Sequence, residues 1–127
     1  MFYDFNQNNS GGYFVTNDKL CHRLFIEADS EDEAVKKAEE LGCYWYGVEK
    51  GIDCACCGDR WDKDWIDAVP LDKYRTEGYD TWRHGILYFN NIEEYAQYFA
   101  NDYGWTSPDA RIFYKDGTVK EIFSNRR

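Results

Sequence analysis

The sequence is short of positive charge, and it has no long apolar run. Its 15 lysines and arginines are outnumbered by 24 aspartates and glutamates, which gives a formal net charge of −9. Such a field repels the nucleic-acid backbone, so we expect no DNA or RNA duplex as a partner. No apolar stretch approaches the ~20 residues that a membrane span needs, and we expect no signal peptide. We therefore expect a soluble cytoplasmic protein with no membrane partner.

The usual catalytic signatures are also missing. The chain has no Gly-x-Ser-x-Gly elbow, no Gly-x-x-x-x-Gly-Lys-Ser/Thr loop and no His-Glu-x-x-His pair. His22 follows Cys21 in a predicted strand, where neighbouring side chains point to opposite faces and cannot share a proton. His84 lies beside Arg83, a setting closer to anion recognition than to base catalysis. We expect the protein not to be an enzyme.

Three of the five cysteines lie in the segment Gly51–Trp61. Cys54, Cys56 and Cys57 are crowded by the standards of zinc sites, and no second Cys-x-x-Cys pair follows them. The odd number of cysteines disfavours a disulfide framework, and a chain of this length can bury a core without one. We favour an interpretation in which the thiols are small, partly buried hydrophobic side chains in a turn, with no metal and no cofactor. Zinc remains the alternative.

The remaining patterns predict one α+β domain over residues 1–127. We expect a mainly antiparallel sheet with two helices packed on one side of it. One helix begins at a Ser30/Glu33 capping box and ends at Gly42, and the other begins at Asn91, ends at Gly104 and buries Tyr95, Tyr98 and Phe99. The predicted strands are Met1–Phe5, Tyr13–Thr16, Leu20–Glu27, Cys43–Val48, Gly85–Phe89 and a final hairpin, 110–115 with 118–123, closed by Asp116-Gly117.

Aromatic residues form 19% of the chain, and several stand near arginines or amides. An adenine-type ligand needs a ring to stack on, amides for the base edges and guanidinium groups for its phosphates. The ordinary alternative is that the arginines pair with carboxylates and the tryptophans fill the core. The residues concerned, grouped by their proximity in the sequence, are Arg60 with Trp61, Trp82 with Arg83, Phe89 with Asn90 and Asn91, and Arg111 with Lys115. Arg111 and Lys115 would share one face of a regular strand.

Three longer motifs stand out. They are Phe-Asn-Gln-Asn-Asn-Ser-Gly-Gly from Phe5, Ile-Glu-Ala-Asp-Ser-x-x-Glu-Ala from Ile26, and Gly-Ile-Asp-Cys-x-Cys-Cys-Gly-Asp-Arg-Trp from Gly51. Together they resemble the first described family of phage Thoeris anti-defence proteins. The resemblance implies a sponge without enzymatic activity. Such a sponge binds the cyclic ADP-ribose isomers made by bacterial TIR-domain proteins and holds them intact, so that the effector is never activated.

The resemblance also implies a homo-oligomer, a dimer or a hexamer, in the cytoplasm of the infected bacterial host. The cyclic ADP-ribose isomer would bind at subunit interfaces, and cyclic di- or trinucleotides would bind at separate sites. The residues expected to bind the isomer are Arg60, Trp82, Phe89, Asn90, Asn91, Arg111 and Lys115.

The loop Asn6–Gly12 is the candidate for the cyclic-oligonucleotide site, because glycine-rich loops can donate backbone N–H groups to phosphates. Its residues are Asn6, Gln7, Asn8, Asn9, Ser10, Gly11 and Gly12, and the alternative is a polar hairpin loop. Two rival functions remain open for the chain: an acidic mimic of DNA that inhibits a host protein, and a hydrolase of the signal.

Overall fold

A five-stranded sheet organises the fold. The computed structural model of the chain describes residues 1–69, 75–76, 87–88, 91–100 and 108–124. The strands are β1 (Phe2–Asn6), β2 (Arg23–Glu27), β3 (Asp67–Val69), β4 (Arg75–Thr76), β5 (Leu87–Tyr88), β6 (Ala110–Phe113) and β7 (Val119–Ile122), and the helices are α1 (Glu31–Leu41) and α2 (Ile92–Phe99). Short 3₁₀ turns lie at Ser10–Gly12 and Lys63–Trp65.

The order of strands in the sheet is β3-β1-β2-β6-β7, and β4 pairs with β5 in a separate ladder. The pair β2–β6 is parallel, whereas β1–β2, β1–β3 and β6–β7 are antiparallel. The predicted α+β fold, with a mainly antiparallel sheet and two helices, is confirmed. No helix in the described part of the chain is both long enough and apolar enough to cross a bilayer.

The alternation of side chains along β2 divides the core between the two faces of the sheet. Leu24 lies in an apolar cluster with Ala34 of α1, whereas the next residue, Phe25, lies in a cluster with Ile92 of α2. Because neighbouring strand residues point to opposite faces, the two helices cover opposite faces. The prediction that both helices pack on one side is therefore wrong. An apolar stripe shows that a helix packs on a sheet, but it does not show on which face.

The predicted strand Tyr13–Thr16 does not form. Its backbone groups bind a side chain instead of a neighbouring strand: Val15 N donates to Gln7 Oε1 at 2.6 Å, and Val15 O accepts from Gln7 Nε2 at 3.1 Å. The predicted strand Cys43–Val48 is also wrong. Tyr46 has a φ of 58°, a left-handed backbone conformation that cannot continue a strand.

Helix α1 has the ends that the sequence predicts. Ser30 Oγ accepts from the Glu33 N–H at 3.2 Å, and the Glu33 carboxylate accepts from the Asp29 N–H at 3.0 Å. Gly42 has a φ of 118° and its N–H donates to Ala38 O. A left-handed residue at this position ends the helix and favours glycine.

Helix α2 begins where it was predicted and ends earlier. Asn91 Oδ1 accepts from the Glu94 N–H at 2.9 Å, so the predicted cap is confirmed. The helix ends at Phe99, because Ala100 has an extended ψ of 126°; the predicted end at Gly104 is wrong. Tyr98 is 44% exposed and does not belong to the buried face.

The final hairpin forms with shorter strands than predicted. β6 and β7 pair from Ala110 opposite Ile122 to Phe113 opposite Val119. Gly117 has a φ of 94° in the turn between them, which explains the glycine of the Asp-Gly signal. The described part of the predicted strand Gly85–Phe89 is β5.

Loss of the α2 cap has a measurable cost. We expect Asn91→Ala to lower the free energy of unfolding by about 1 kcal/mol, because the Glu94 N–H loses its acceptor. Asn91→Asp keeps an acceptor oxygen at the same position and should retain the wild-type stability. Urea denaturation of the two variants checks this, and equal stabilities for Asn91→Ala and the parent would contradict it.

Candidate functional site

A cavity of about 490 Å³ lies against the loop that follows β1. This volume falls in the range of ~300–1,000 Å³ that is usual for small-molecule sites. Five of the seven residues of the predicted Asn6–Gly12 site border it. Its lining is formed by Asn6, Gln7, Asn8, Asn9, Gly12, Tyr13, Phe14, His22 and Trp65.

The wall of this cavity consists of rings and amides. Tyr13 is 57% exposed and Trp65 is 58% exposed, so both rings present a face on which a planar base can stack. Asn6 and Asn9 are exposed beside them, and a side-chain amide can both donate to and accept from the edge of a base. Among the described residues, the lining contains no carboxylate, lysine or arginine.

His22 contributes a neutral imidazole to the wall. It is 7% exposed, and its ring centroid lies 4.5 Å from that of Phe14. Burial lowers the pKa of His22 to about 4; the nearby Arg23 also lowers it, while Asp109 raises it. At neutral pH the ring therefore carries no charge, and it is a weak base.

Arg60 braces the loop from behind the cavity. It is 3% exposed, and its guanidinium donors go to internal acceptors. Nη1 donates to Gln7 Oε1 at 3.0 Å and to Tyr13 O at 2.7 Å, and Nη2 donates to Ser10 O at 2.6 Å. The guanidinium carbon lies 4.5 Å from the centroid of the Tyr13 ring. Arg60 thus acts on the cavity by positioning Tyr13, and its direct contact with a ligand stays a prediction.

A buried carboxylate completes this brace. Asp53 Oδ2 accepts from the Arg60 backbone N–H at 2.8 Å, Oδ1 accepts from the Tyr44 hydroxyl at 2.6 Å, and the Arg60 Nε lies 3.7 Å from Oδ1. Burial and the hydrogen bond to Asp53 raise the pKa of Tyr44 to about 12. Gly47 packs so closely that a Cβ at that position would overlap the Asp53 carboxylate. The position therefore requires glycine.

Two amide side chains tie the loop to its surroundings. Gln7 is 3% exposed and its Nε2 donates to Cys21 O at 3.0 Å. Asn8 Nδ2 donates to Cys57 O at 2.8 Å and to Asp59 O at 3.2 Å. Since these amides serve the fold, Asn6 and Asn9 are the amides of the loop that remain accessible to a ligand.

The three thiols of the cysteine turn, Cys54–Cys57, point outward. Cys54 is half-buried, while Cys56 and Cys57 are exposed, so the expectation of partly buried hydrophobic side chains is wrong for the latter two. Cys54 Sγ lies 2.8 Å from Cys56 Sγ, which lies 3.8 Å from Cys57 Sγ. The hydrogen bond from Cys56 and the backbone N–H groups of the turn lower the pKa of Cys54 to about 7. The contact with Cys54 raises the pKa of Cys56 to about 11.

Arg111 has internal partners as well. It is 4% exposed; Nη1 donates to Asn17 O at 2.7 Å and Leu20 O at 3.1 Å, and Nη2 donates to Glu121 Oε2 at 3.1 Å. Its guanidinium fastens the segment before β2 to the last hairpin. Direct contact between Arg111 and a ligand stays a prediction.

The other residues predicted to bind the isomer lie apart from the cavity. Lys115 follows the end of β6, is exposed, forms an ion pair with Asp29 and borders a second cavity of about 220 Å³. The expected shared strand face with Arg111 is therefore wrong. Asn91 caps α2. The remaining members of the set, Trp82, Phe89 and Asn90, lie outside the described residues.

A third cavity, of about 320 Å³, shares Asn6 and Trp65 with the first. It has an acidic wall formed by Asp4, Asp64 and Asp67 together with Arg23. Burial raises the pKa of Asp4, although the Arg23 Nε, 3.0 Å from its Oδ1, lowers it. Among the described carboxyls this is the best candidate for a general acid, because its proton is retained to higher pH than usual.

The family comparison covers the whole site. A family model matches residues 1–126. The chain belongs to the DUF7296 family. That family is described as a domain of unknown function. No curated protein and no solved structure matches the chain. Because the match spans nearly every residue, the cavity, its brace and the cysteine turn all belong to the DUF7296 domain.

Sequence patterns missed four residues that border the cavity in this DUF7296 chain. Tyr13 and Phe14 directly follow the predicted loop, so extension of that loop by two residues would have included them. His22 and Trp65 are distant in sequence. Trp65 reaches the cavity through the 3₁₀ turn before β3, and no local pattern signals that approach.

Replacement of Arg60 tests its role in the fold. We expect Arg60→Lys to lower the free energy of unfolding by about 3 kcal/mol, because one ammonium cannot reach all the carbonyls that the guanidinium binds and Asp53 loses part of its compensation. The control Lys120→Met removes the exposed ion pair with Glu93 and should change stability by less than about 1 kcal/mol. Chemical denaturation measures both. An unchanged Arg60→Lys would contradict a structural role.

Acid should weaken the fold through His22. Its pKa in the folded chain is below the ordinary 6.5, so the unfolded chain takes up the proton first. The contribution of neutral His22 to the free energy of unfolding is fully present above pH 6.5. It is lost as the pH falls toward about 4. Between about pH 7 and about pH 5 the loss is about 2 kcal/mol. Chemical denaturation at several pH values in this window measures the loss. The free energy of unfolding should depend less on pH in His22→Gln than in the parent. Equal slopes for the parent and the variant would rule the effect out.

Proposed function

We propose that this protein is a nucleotide sponge, which binds cyclic signalling nucleotides and holds them without cleaving them. One observation carries the proposal: an open cavity of about 490 Å³ combines exposed rings, accessible amides and an uncharged lining. Such a surface suits a nucleobase, whose faces stack on rings and whose edges exchange hydrogen bonds with amides.

The cavity residues divide the recognition between them. Tyr13 and Trp65 supply the ring faces, and Asn6 and Asn9 supply the amides. Phosphate oxygens would take N–H donors from these amides, because the described residues of the lining include no lysine or arginine. Recognition weighted toward bases should depend weakly on salt, unlike binding through lysine and arginine.

The same cavity suits retention more than turnover. Among the described residues of the lining, only His22 has a pKa that ordinarily lies near neutrality. Burial keeps this imidazole a weak base. A sponge needs tight binding: a Kd of about 10 nM corresponds to roughly −11 kcal/mol. The brace formed by Arg60 and Asp53 holds the loop in place before a ligand arrives, which lowers the entropic cost of binding.

The proposed class of signal rests on the resemblance of the three motifs to the Thoeris anti-defence family. We assign cyclic ADP-ribose isomers as the principal ligand, bound where subunits of a homo-oligomer meet. We assign cyclic di- or trinucleotides to the Asn6–Gly12 cavity. The protein would act in the cytoplasm of an infected bacterium, where removal of the signal keeps the TIR-dependent effector inactive.

A release assay tests the proposed function. The purified protein is incubated with a cyclic ADP-ribose isomer or a cyclic trinucleotide and filtered, and the retained fraction is then denatured by heat. Recovery of intact ligand supports the sponge. Loss of the ligand with appearance of a linear product would instead indicate a hydrolase, for which Asp4 is the candidate acid. No uptake of either ligand would refute the sponge and leave the DNA mimic.

A variant of the rim tests the location of the cyclic-oligonucleotide site. We expect Trp65→Ala to weaken binding of the cyclic trinucleotide about tenfold to a hundredfold, the usual cost of losing one stacking ring. Tyr98→Ala removes an exposed ring on α2, outside the cavity, and should leave the affinity unchanged. Calorimetric titration of both variants decides this. Equal affinity for Trp65→Ala and the parent would place the site elsewhere.

A further inference from the structure

The cysteine turn presents three sulfur atoms to one point in space. The Sγ atoms of Cys54, Cys56 and Cys57 all lie within 4.8 Å of one another. In the described part of the chain, Cys56 Sγ contacts both Cys54 Sγ and Cys57 Sγ. The fold leaves two of the three side chains exposed, so they contribute little to its core.

The spacing of these sulfurs suits one thiophilic metal ion. Zn–S bonds of ~2.3 Å in a tetrahedral site place the sulfur atoms ~3.8 Å apart. The distance from Cys56 Sγ to Cys57 Sγ is 3.8 Å, and the distance from Cys54 Sγ to Cys56 Sγ is 2.8 Å. The third pair, Cys54 Sγ and Cys57 Sγ, also lies within 4.8 Å, so a shift of about 1 Å at the Cys54 sulfur would bring it to the tetrahedral spacing from Cys56. The adjacent Cys56 and Cys57 already have this spacing, so their proximity in the sequence does not prevent both from facing the same ion.

The backbone of the turn is fixed before any ion binds. The N–H groups of Cys57 and Gly58 donate to Cys54 O at 3.2 and 3.0 Å. Gly58 has a φ of 91°, which favours glycine. The Cys54 N–H donates to Ser10 Oγ at 2.9 Å, and Cys57 O accepts from Asn8. A site whose ligands are already in position loses less entropy on binding.

We propose that Cys54, Cys56 and Cys57 bind one Zn²⁺ ion through three thiolates. Each thiol releases its proton to solvent as its Zn–S bond forms, and the three thiolates with Zn²⁺ give the site a net charge of −1. The fourth position stays open to water or to an added ligand, as in zinc sites that are not purely structural. The proposal does not depend on the nucleotide function.

Spectroscopy with a substitute metal tests the site directly. The full-length protein is reduced, freed of metal and titrated with Co²⁺, then with Zn²⁺. We expect a sulfur-to-cobalt charge-transfer band that saturates at one equivalent and disappears when Zn²⁺ displaces Co²⁺. Absence of the band would overturn the proposal.

Serine variants identify the ligands. Cys56→Ser and Cys57→Ser alter exposed side chains and should keep the fold, which circular dichroism checks, while weakening Zn²⁺ binding by more than about tenfold. Cys43→Ala removes a buried thiol outside the turn and should keep the one-equivalent stoichiometry. At equal concentration, Zn²⁺ should also raise the Tm of the parent more than that of Cys57→Ser. Parent-like binding by both serine variants would overturn the proposal.

Discussion

The candidate site depends on one buried guanidinium. Arg60 carries a positive charge into a position with 3% exposure, and such a charge is tolerated only when it is paired and its donors are satisfied. Asp53 provides the countercharge, and the carbonyls of Ser10 and Tyr13 take the donors. The loop after β1 must therefore return over Arg60. That return creates the cavity and turns the Tyr13 ring toward it.

The arginines explain why the proposed ligand contacts differ from those that the sequence suggests. Arg23 pairs with Asp4, Arg60 with Asp53 and Arg111 with Glu121. In an acidic chain a carboxylate is rarely far from any arginine, so each described arginine of the predicted cluster meets its ordinary partner. The sequence shows which arginines are available to bind an anion. Only the distances in the structure show whether a given arginine binds a ligand or a carboxylate of the chain. The absence of a cation from the described lining is consistent with this arrangement, because these three arginines are paired within the fold.

Local signals predicted local structure well. The Ser30 and Asn91 caps, Gly42 and the Asp116-Gly117 turn act through contacts between residues close in sequence, and their outcomes follow from those contacts alone. The errors arise where a distant side chain competes with the backbone. Gln7 takes the hydrogen bonds of Val15 that a strand would need, and Trp65 reaches the cavity from beyond the cysteine turn. The Asn6–Gly12 loop was identified as a site because its composition is unusual, whereas its aromatic partners needed the fold.

The cysteine turn and the cavity form one mechanical unit, and this gives the two proposals a physical connection. Asn8 bonds to the carbonyl of Cys57, and Ser10 bonds to the N–H of Cys54, so the loop that borders the cavity is anchored on the backbone that carries the thiols. The Ser10 carbonyl also accepts from Arg60, so Ser10 links the backbone of the cysteine turn to the guanidinium that holds the loop. A metal at the turn would therefore restrict the loop that borders the cavity. An ion that stabilises the ligand-bound form of the loop raises the affinity of the protein for that ligand. By thermodynamic linkage, the ligand raises the affinity of the protein for the ion by the same factor.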